Sequence, residues 1–144
     1  MDEAALTQLP NGSVLLNMRH RQSPVKGRAV ALSDDGGETF GPIAYDATLI
    51  SPVCQASIVS FGGVTYFSNP ASTSGRNHIT IRRSTDSAAT WSSSLLVEVS
   101  ASAGYSCLVK GALPARADGG PGDEGGILYE ASKGIAFARF PLSF

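Results

Sequence analysis

The chain has 144 residues, 42% of them hydrophobic and 16% charged, which suits one globular domain burying roughly two-thirds of its unfolded surface. Eleven Lys and Arg against twelve Asp and Glu leave a net charge of −1, and the basic residues are scattered, which argues against a nucleic-acid-binding face. No apolar run approaches the ~20 residues of a membrane span, and nothing at the start of the chain reads as a signal peptide.

In chain order, short runs rich in Val, Ile, Leu, Tyr and Phe stand out: "SVLLNMR", "RAVALS", "ASIVSF", "VTYFS", "HITIRRS", "SLLVEV", "GILYEA" and "IAFARF". Turn signals separate them, among them Pro10-Asn11-Gly12, Asp35-Gly36-Gly37, Gly62-Gly63, Ser74-Gly75 and Lys133-Gly134. Strands at this density with glycine-rich turns predict an all-β protein. Val14, Leu16 and Met18 share one face of a predicted strand, opposite Leu15, Asn17 and Arg19, and Arg19 closes that half-buried strand. Ile79 and Ile81 likewise oppose Thr80 and Arg82. The polar, glycine-rich stretch from Ala115 to Gly126 is expected as an exposed loop.

Two stretches repeat one another. "SDDGGETF" starts at Ser33 and "STDSAATW" at Ser84, an offset of 51 residues that Phe40 and Trp91 keep. Both fit Ser-x-Asp-x-x-x-Thr-aromatic. Aspartate accepts from nearby backbone N–H groups, hydroxyls do so more weakly, and the closing aromatic can bury itself between layers. A period near fifty built from four-stranded units predicts a β-propeller, of which this length supplies about three blades.

Cys54 and Cys107 are too few for a disulfide scaffold or a structural zinc site and are expected as buried free thiols, with a bridge between them left open. His20 and His78 have no metal-ligand spacing and are expected as core or surface residues. No metal or organic cofactor is implied.

The segment "DEAALTQLPNGSVLLNMR" resembles the exo-sialidase (neuraminidase) family, in which an Asp-Glu start leads through Leu-Pro-Asp-Gly into a strand ending Asn-x-Arg. The aspartate-rich turns resemble that family's Asp boxes. "SPVCQASI", "FSNPASTSGR", "SAGYSCL" and "ILYEASKGIAFARF" resemble further family segments, in the same order and over nearly the whole chain. The resemblance implies a retaining exo-α-sialidase acting on sialylated glycoproteins, glycolipids or oligosaccharides. It implies the C-terminal half of a six-bladed catalytic propeller over residues 1–144. Tyr105 is then the nucleophile, Glu3 its base, Arg19 and Arg76 members of the arginine cluster that grips the substrate carboxylate, and Glu130 a partner that orients a cluster arginine.

The chemistry fits those residue types. Sialic acid carries a carboxylate on its anomeric carbon, so a carboxylate nucleophile would approach a like charge. A phenol avoids this, provided a base takes its proton, and sialidases are the known exception that uses tyrosine. Forked arginine bonds suit a carboxylate.

Some residues depart from the pattern. Ala4 and Ala5 replace Cys-Gln, Cys107 stands where aspartate is usual, and Ala88 replaces a box glycine, so its turn needs a conformation alanine tolerates. The family's arginine–isoleucine–proline segment and general acid are not found here. The expectation is therefore a chain whose partner is the N-terminal half of the same propeller and which does not hydrolyse sialosides unaided. The alternatives are a trans-sialidase and a non-catalytic Asp-box scaffold that binds sugars or proteins; convergence of Glu3, Arg19, Arg76 and Tyr105 on one patch discriminates against the scaffold.

Overall fold

A computed structural model of the chain describes residues 2–21, 27–101, 104–114 and 123–144. Its described residues form strands β1 (Ala4–Gln8), β2 (Val14–Met18), β3 (Arg28–Ser33) and β4 (Ala44–Asp46), which pair antiparallel in chain order as one sheet. A second sheet repeats the pattern with β5 (Ser57–Phe61), β6 (Val64–Pro70), β7 (Ile79–Ser84) and β8 (Ser93–Glu98). The third holds β9 (Ser106–Leu113), β10 (Glu124–Ala131) and β11 (Gly134–Pro141). Among the described residues no helix is long and apolar enough to cross a membrane.

Local sequence explains most of these elements. Gly62 and Gly63, at φ 58° and 78°, take the left-handed pair of angles that a two-residue hairpin needs between β5 and β6. Three strands escape a pattern reading. β1 lies near the start of the chain, where disorder is the default, and β4 is only three residues long. β9 interrupts its apolar run with Ser106, Lys110 and Gly111.

The first strands of the sheets lie side by side, β1 against β5 and β5 against β9. Between the first and second sheets Leu9, Leu15, Leu49, Ala56, Ile58 and Phe67 form one core. Between the second and third, Tyr66, Ile79, Ile81, Leu108, Ile127 and Phe140 form another. Each fully buried side chain of this size contributes about 1.5–3 kcal/mol.

This stacking leaves β2 half-buried, with Val14 and Leu16 partly open, but covers β7 on both faces, which its alternation does not reveal. Thr80 and Arg82 are buried as well as Ile79 and Ile81, because the second sheet has a neighbour on both faces. Asn17 and Leu15 are buried on one face of β2, Met18 on the other. The expected loop at 115–126 is also shorter at its end. Residues 115–122 lie outside the described residues, but Glu124 to Gly126 already belong to β10. Gly125 and Gly126 sit there because rings cover them: an added Cβ would clash with the Phe140 ring at Gly125 and meet the Phe137 ring at 2.7 Å at Gly126.

The repeated turns have one geometry. Ser33 Oγ donates to Asp35 at 2.7 Å, and Asp35 accepts from the Thr39 N–H at 3.0 Å and the Thr39 hydroxyl at 2.6 Å. In the second turn Ser84 donates to Asp86 at 2.7 Å, and Asp86 accepts from Thr90 N–H at 2.9 Å and its hydroxyl at 2.6 Å. Ser87 and Ala88 hold φ of 57° and 62°, the left-handed well that alanine can enter. The closing aromatics differ. Trp91 packs 5.7 Å from the Phe67 ring and donates to Asp46 at 3.0 Å. Phe40 stays exposed, contrary to expectation, since no described core packs on it.

Candidate active site

In an antiparallel meander the start of the first strand and the end of the second reach the same rim. Glu3 precedes β1, Arg19 follows β2, Arg76 lies in the β6–β7 connection, Tyr105 precedes β9 and Glu130 stands near the end of β10. The topology therefore brings all five residues to one rim.

The ladder between β1 and β2 continues past both strands. Asp2 N–H donates to the Arg19 carbonyl at 3.0 Å, and Arg19 N–H to the Glu3 carbonyl at 2.9 Å. Glu3 is thus fixed opposite Arg19. Both Glu3 oxygens accept from Arg19 Nη1 at 2.9 Å. Asp2 Oδ2 lies 3.4 Å from Arg19 Nε and 2.5 Å from Arg21 Nε.

The Tyr105 hydroxyl donates to Glu3 Oε1 across 102 residues of sequence. Arg76 Cζ stands 5.7 Å from the centroid of the Tyr105 ring, within cation–π range. Gly104 permits that approach: its φ is 93°, and a Cβ there would meet Cys54 Sγ at 3.0 Å and Arg76 Cβ and Cδ at 3.1 Å. Glu130 Oε2 accepts from the Tyr105 N–H at 2.9 Å, while Glu130 N–H donates to the Tyr105 carbonyl at 2.9 Å. This contact with the Tyr105 backbone is not one that the resemblance implies.

The electrostatics follow from these bonds. The Tyr105 hydroxyl, foremost, holds the Glu3 carboxyl down to about 2, with Arg19 acting in the same direction. The same bond pushes the Tyr105 phenol above its ordinary value. Glu3 is a carboxylate and Tyr105 a neutral phenol near pH 7. Burial pulls Arg19 down, but the Glu3 bond and the charges of Glu3 and Asp2 more than offset it.

Sequence reading passed over Arg28. It is fully buried, with Nε donating to Asn17 Oδ1 at 2.7 Å and Nη1 to the Cys54 carbonyl at 2.6 Å. Burial pushes its guanidinium down to about 10, still protonated near neutrality. No local signal marks it, since "RAVALS" reads as an arginine capping a strand. The cysteines are free, yet only Cys54 is buried; Cys107 is exposed, which corrects the expectation of two buried thiols. It stands on the rim of the third sheet, where no neighbouring sheet is described to cover it.

A hollow of about 330 Å³ opens beside Tyr105, lined by Gln55, Cys107, Leu128, Glu130 and Ile135. A larger one of about 480 Å³ runs between β1 and β5 past Gln8, Pro10 and Gly63, at the strand ends away from Glu3 and Tyr105. Of the five candidate residues, Tyr105 and Glu130 line the smaller hollow, while none lines the larger one.

No family model matches the chain. A sialidase of Micromonospora viridifaciens is 39% identical over 155 residues, covering 100% of this chain and 22% of that protein. A sialidase of Bacteroides fragilis is 35% identical, covering 74% of the chain and 21% of its own length. The chain thus spans about a fifth of the curated relatives it matches. Among solved structures, a Hadza microbial sialidase is 35% identical with a TM-score of 0.81, over 97% of this chain and 27% of that one. An intramolecular trans-sialidase from Ruminococcus gnavus, at 21% identity and a TM-score of 0.73 over 97% of this chain and 32% of that one, bears on the fold alone. The three sheets are blades of a sialidase-type β-propeller. Aligned end to end with one sialidase and superposable on another, the chain belongs to the sialidase family.

Proposed function

We propose that residues 1–144 supply the nucleophilic part of a retaining exo-α-sialidase site. The observation that carries this reading is the line from Tyr105 hydroxyl to Glu3 carboxylate to Arg19 guanidinium, assembled from two distant parts of the chain. A non-catalytic scaffold has no use for a phenol poised on a carboxylate.

Arg19 and Arg76 hold the carboxylate of a terminal sialic acid and so place the anomeric carbon over Tyr105. The phenol oxygen attacks that carbon, its proton passes to Glu3, and the bond to the leaving sugar oxygen breaks. An acid from outside residues 1–144 protonates that oxygen. Among the described carboxylates near Tyr105, Asp2 and Glu3 face arginines and Glu130 accepts a backbone N–H, so none is built as a proton donor. Water then attacks the anomeric carbon and gives a proton to the conjugate base of that outside acid, while Glu3 returns its proton to the departing phenol oxygen and the sugar leaves with its configuration retained. On this reading residues 1–144 alone do not turn over sialosides.

The test is Tyr105→Phe in the complete enzyme. Turnover falls by at least about 10²-fold, sialic acid still binds, and mass spectrometry of quenched wild type finds a glycosyl adduct on the Tyr105 peptide. Unchanged turnover removes Tyr105 as nucleophile.

A further inference from the structure

β9 forms one edge of its sheet, and edge backbone donors need partners. Two of them find side chains at the start of β5 and just before it. Ser106 N–H donates to Gln55 Oε1 at 3.0 Å, and Leu108 N–H donates to Ser57 Oγ at 3.0 Å. Residues 55 and 57 thus stand in for a backbone strand, serving alternate positions of β9.

Gln55 does more than Ser57. Its Nε2 also donates to the Ser106 carbonyl at 3.0 Å and to the Ala56 carbonyl at 3.0 Å. One carboxamide therefore takes the N–H and the C=O of a single residue, which needs an acceptor and a donor side by side. Ser106 itself is buried, with its Oγ 2.8 Å from Ser68 Oγ. Since Glu130 holds the N–H of Tyr105 with its carboxylate and the C=O with its backbone N–H, the backbone of two successive residues is set from two sides, by Glu130 of β10 and by Gln55 just before β5.

We propose that Gln55 is a positioning residue for Tyr105: by clamping Ser106 from the neighbouring sheet, it fixes the peptide that aims the phenol at Glu3. This rests on Tyr105 as the proposed nucleophile, but the clamp can be tested without turnover. A misplacement of about 1 Å in such a group can cost 10²-fold in rate.

The experiment is a pH titration of this chain carrying 13Cζ-labelled tyrosine, followed by NMR, with Tyr105→Phe assigning the resonance. In wild type the Tyr105 phenol titrates above the ordinary value of about 10, because it is bonded to Glu3. In Gln55→Met, similar in length but without the amide, its titration falls back toward that value. Gln55→Asn, one methylene too short, does the same and carries the test if Gln55→Met does not fold. Ser57→Ala, which loses the bond to Leu108, leaves the titration where it was. An unmoved Tyr105 titration in a folded Gln55 variant overturns the proposal. An equal fall in Ser57→Ala also overturns it, because the effect would then be general loosening. In the complete enzyme, Gln55→Met lowers kcat about 10- to 10²-fold with KM little changed. If Tyr105→Phe leaves turnover intact, the nucleophile reading fails while the titration still decides the clamp.

Discussion

Glu3 is held on one side by the Arg19 guanidinium and on the other by the Tyr105 hydroxyl, and its acidity reports both. Its folded pKa of about 2 lies below the ordinary 4.5, with the Tyr105 bond the largest cause. Its contribution to stability is therefore present above about pH 4.5 and is lost as pH falls toward 2. Carboxyl-detected NMR of Tyr105→Phe should show the Glu3 pKa rising toward 4.5; no rise would separate Glu3 from the phenol. An acid limb of activity above pH 4.5 then belongs to another group, since Glu3 is already ionised there. Arg76 acts differently, across the face of the Tyr105 ring. Arg76→Ala in the complete enzyme should weaken binding of a carboxylate-bearing inhibitor by about 2 kcal/mol, roughly thirtyfold, measured by calorimetry. A neutral analogue lacking the carboxylate should bind as before.

At the scale of elements, the two Asp-box turns form a matched pair that separates backbone strain from packing. Gly37 has φ 98° and an added Cβ meets nothing within 4 Å, so Gly37→Ala isolates the backbone term. It should cost about 1–2 kcal/mol, read as a lower urea midpoint with unchanged slope. Ala88, at the corresponding place, has φ 62°, close to the centre of the left-handed well, and it packs against the first core. Ala88→Gly relieves a smaller strain while loosening the unfolded chain, and its midpoint should shift far less. Equal and opposite shifts would mean that the two turns do not share one geometry.

On the scale of the whole molecule, Arg28 ties the first sheet to the second by donating to Asn17 on one side and Cys54 on the other. The Cys54 segment in turn underlies Gly104 and leads directly into Gln55, so this tie runs beneath the site. Arg28→Met fills the space but leaves the Asn17 oxygen and the Cys54 carbonyl without these donors. It should cost about 2–4 kcal/mol in denaturant unfolding. A loss below about 0.5 kcal/mol, within the range of ordinary surface changes, would show that the two sheets hold together without it.

The sequence by itself determined what depends on near neighbours. Alternation in "HITIRRS" and "SVLLNMR", the Gly62-Gly63 hairpin and the hydrogen bonds within each Asp box involve residues a few positions apart, so residue type and spacing suffice to read them. The motif order also brought Glu3, Arg19, Arg76, Tyr105 and Glu130 forward as a set. Only the tertiary structure decided that β7 is covered on both faces, that Phe40 stays open while Trp91 is packed, and that Arg28 is buried. It alone joined Gln55 to Ser106, and it supplied the hydrogen bond between the Tyr105 hydroxyl and Glu3, a pair that the resemblance only implies. Those contacts span up to 102 residues, and no local preference encodes them. They exist because three meanders stack with their first strands side by side, which carries groups remote in sequence to one rim.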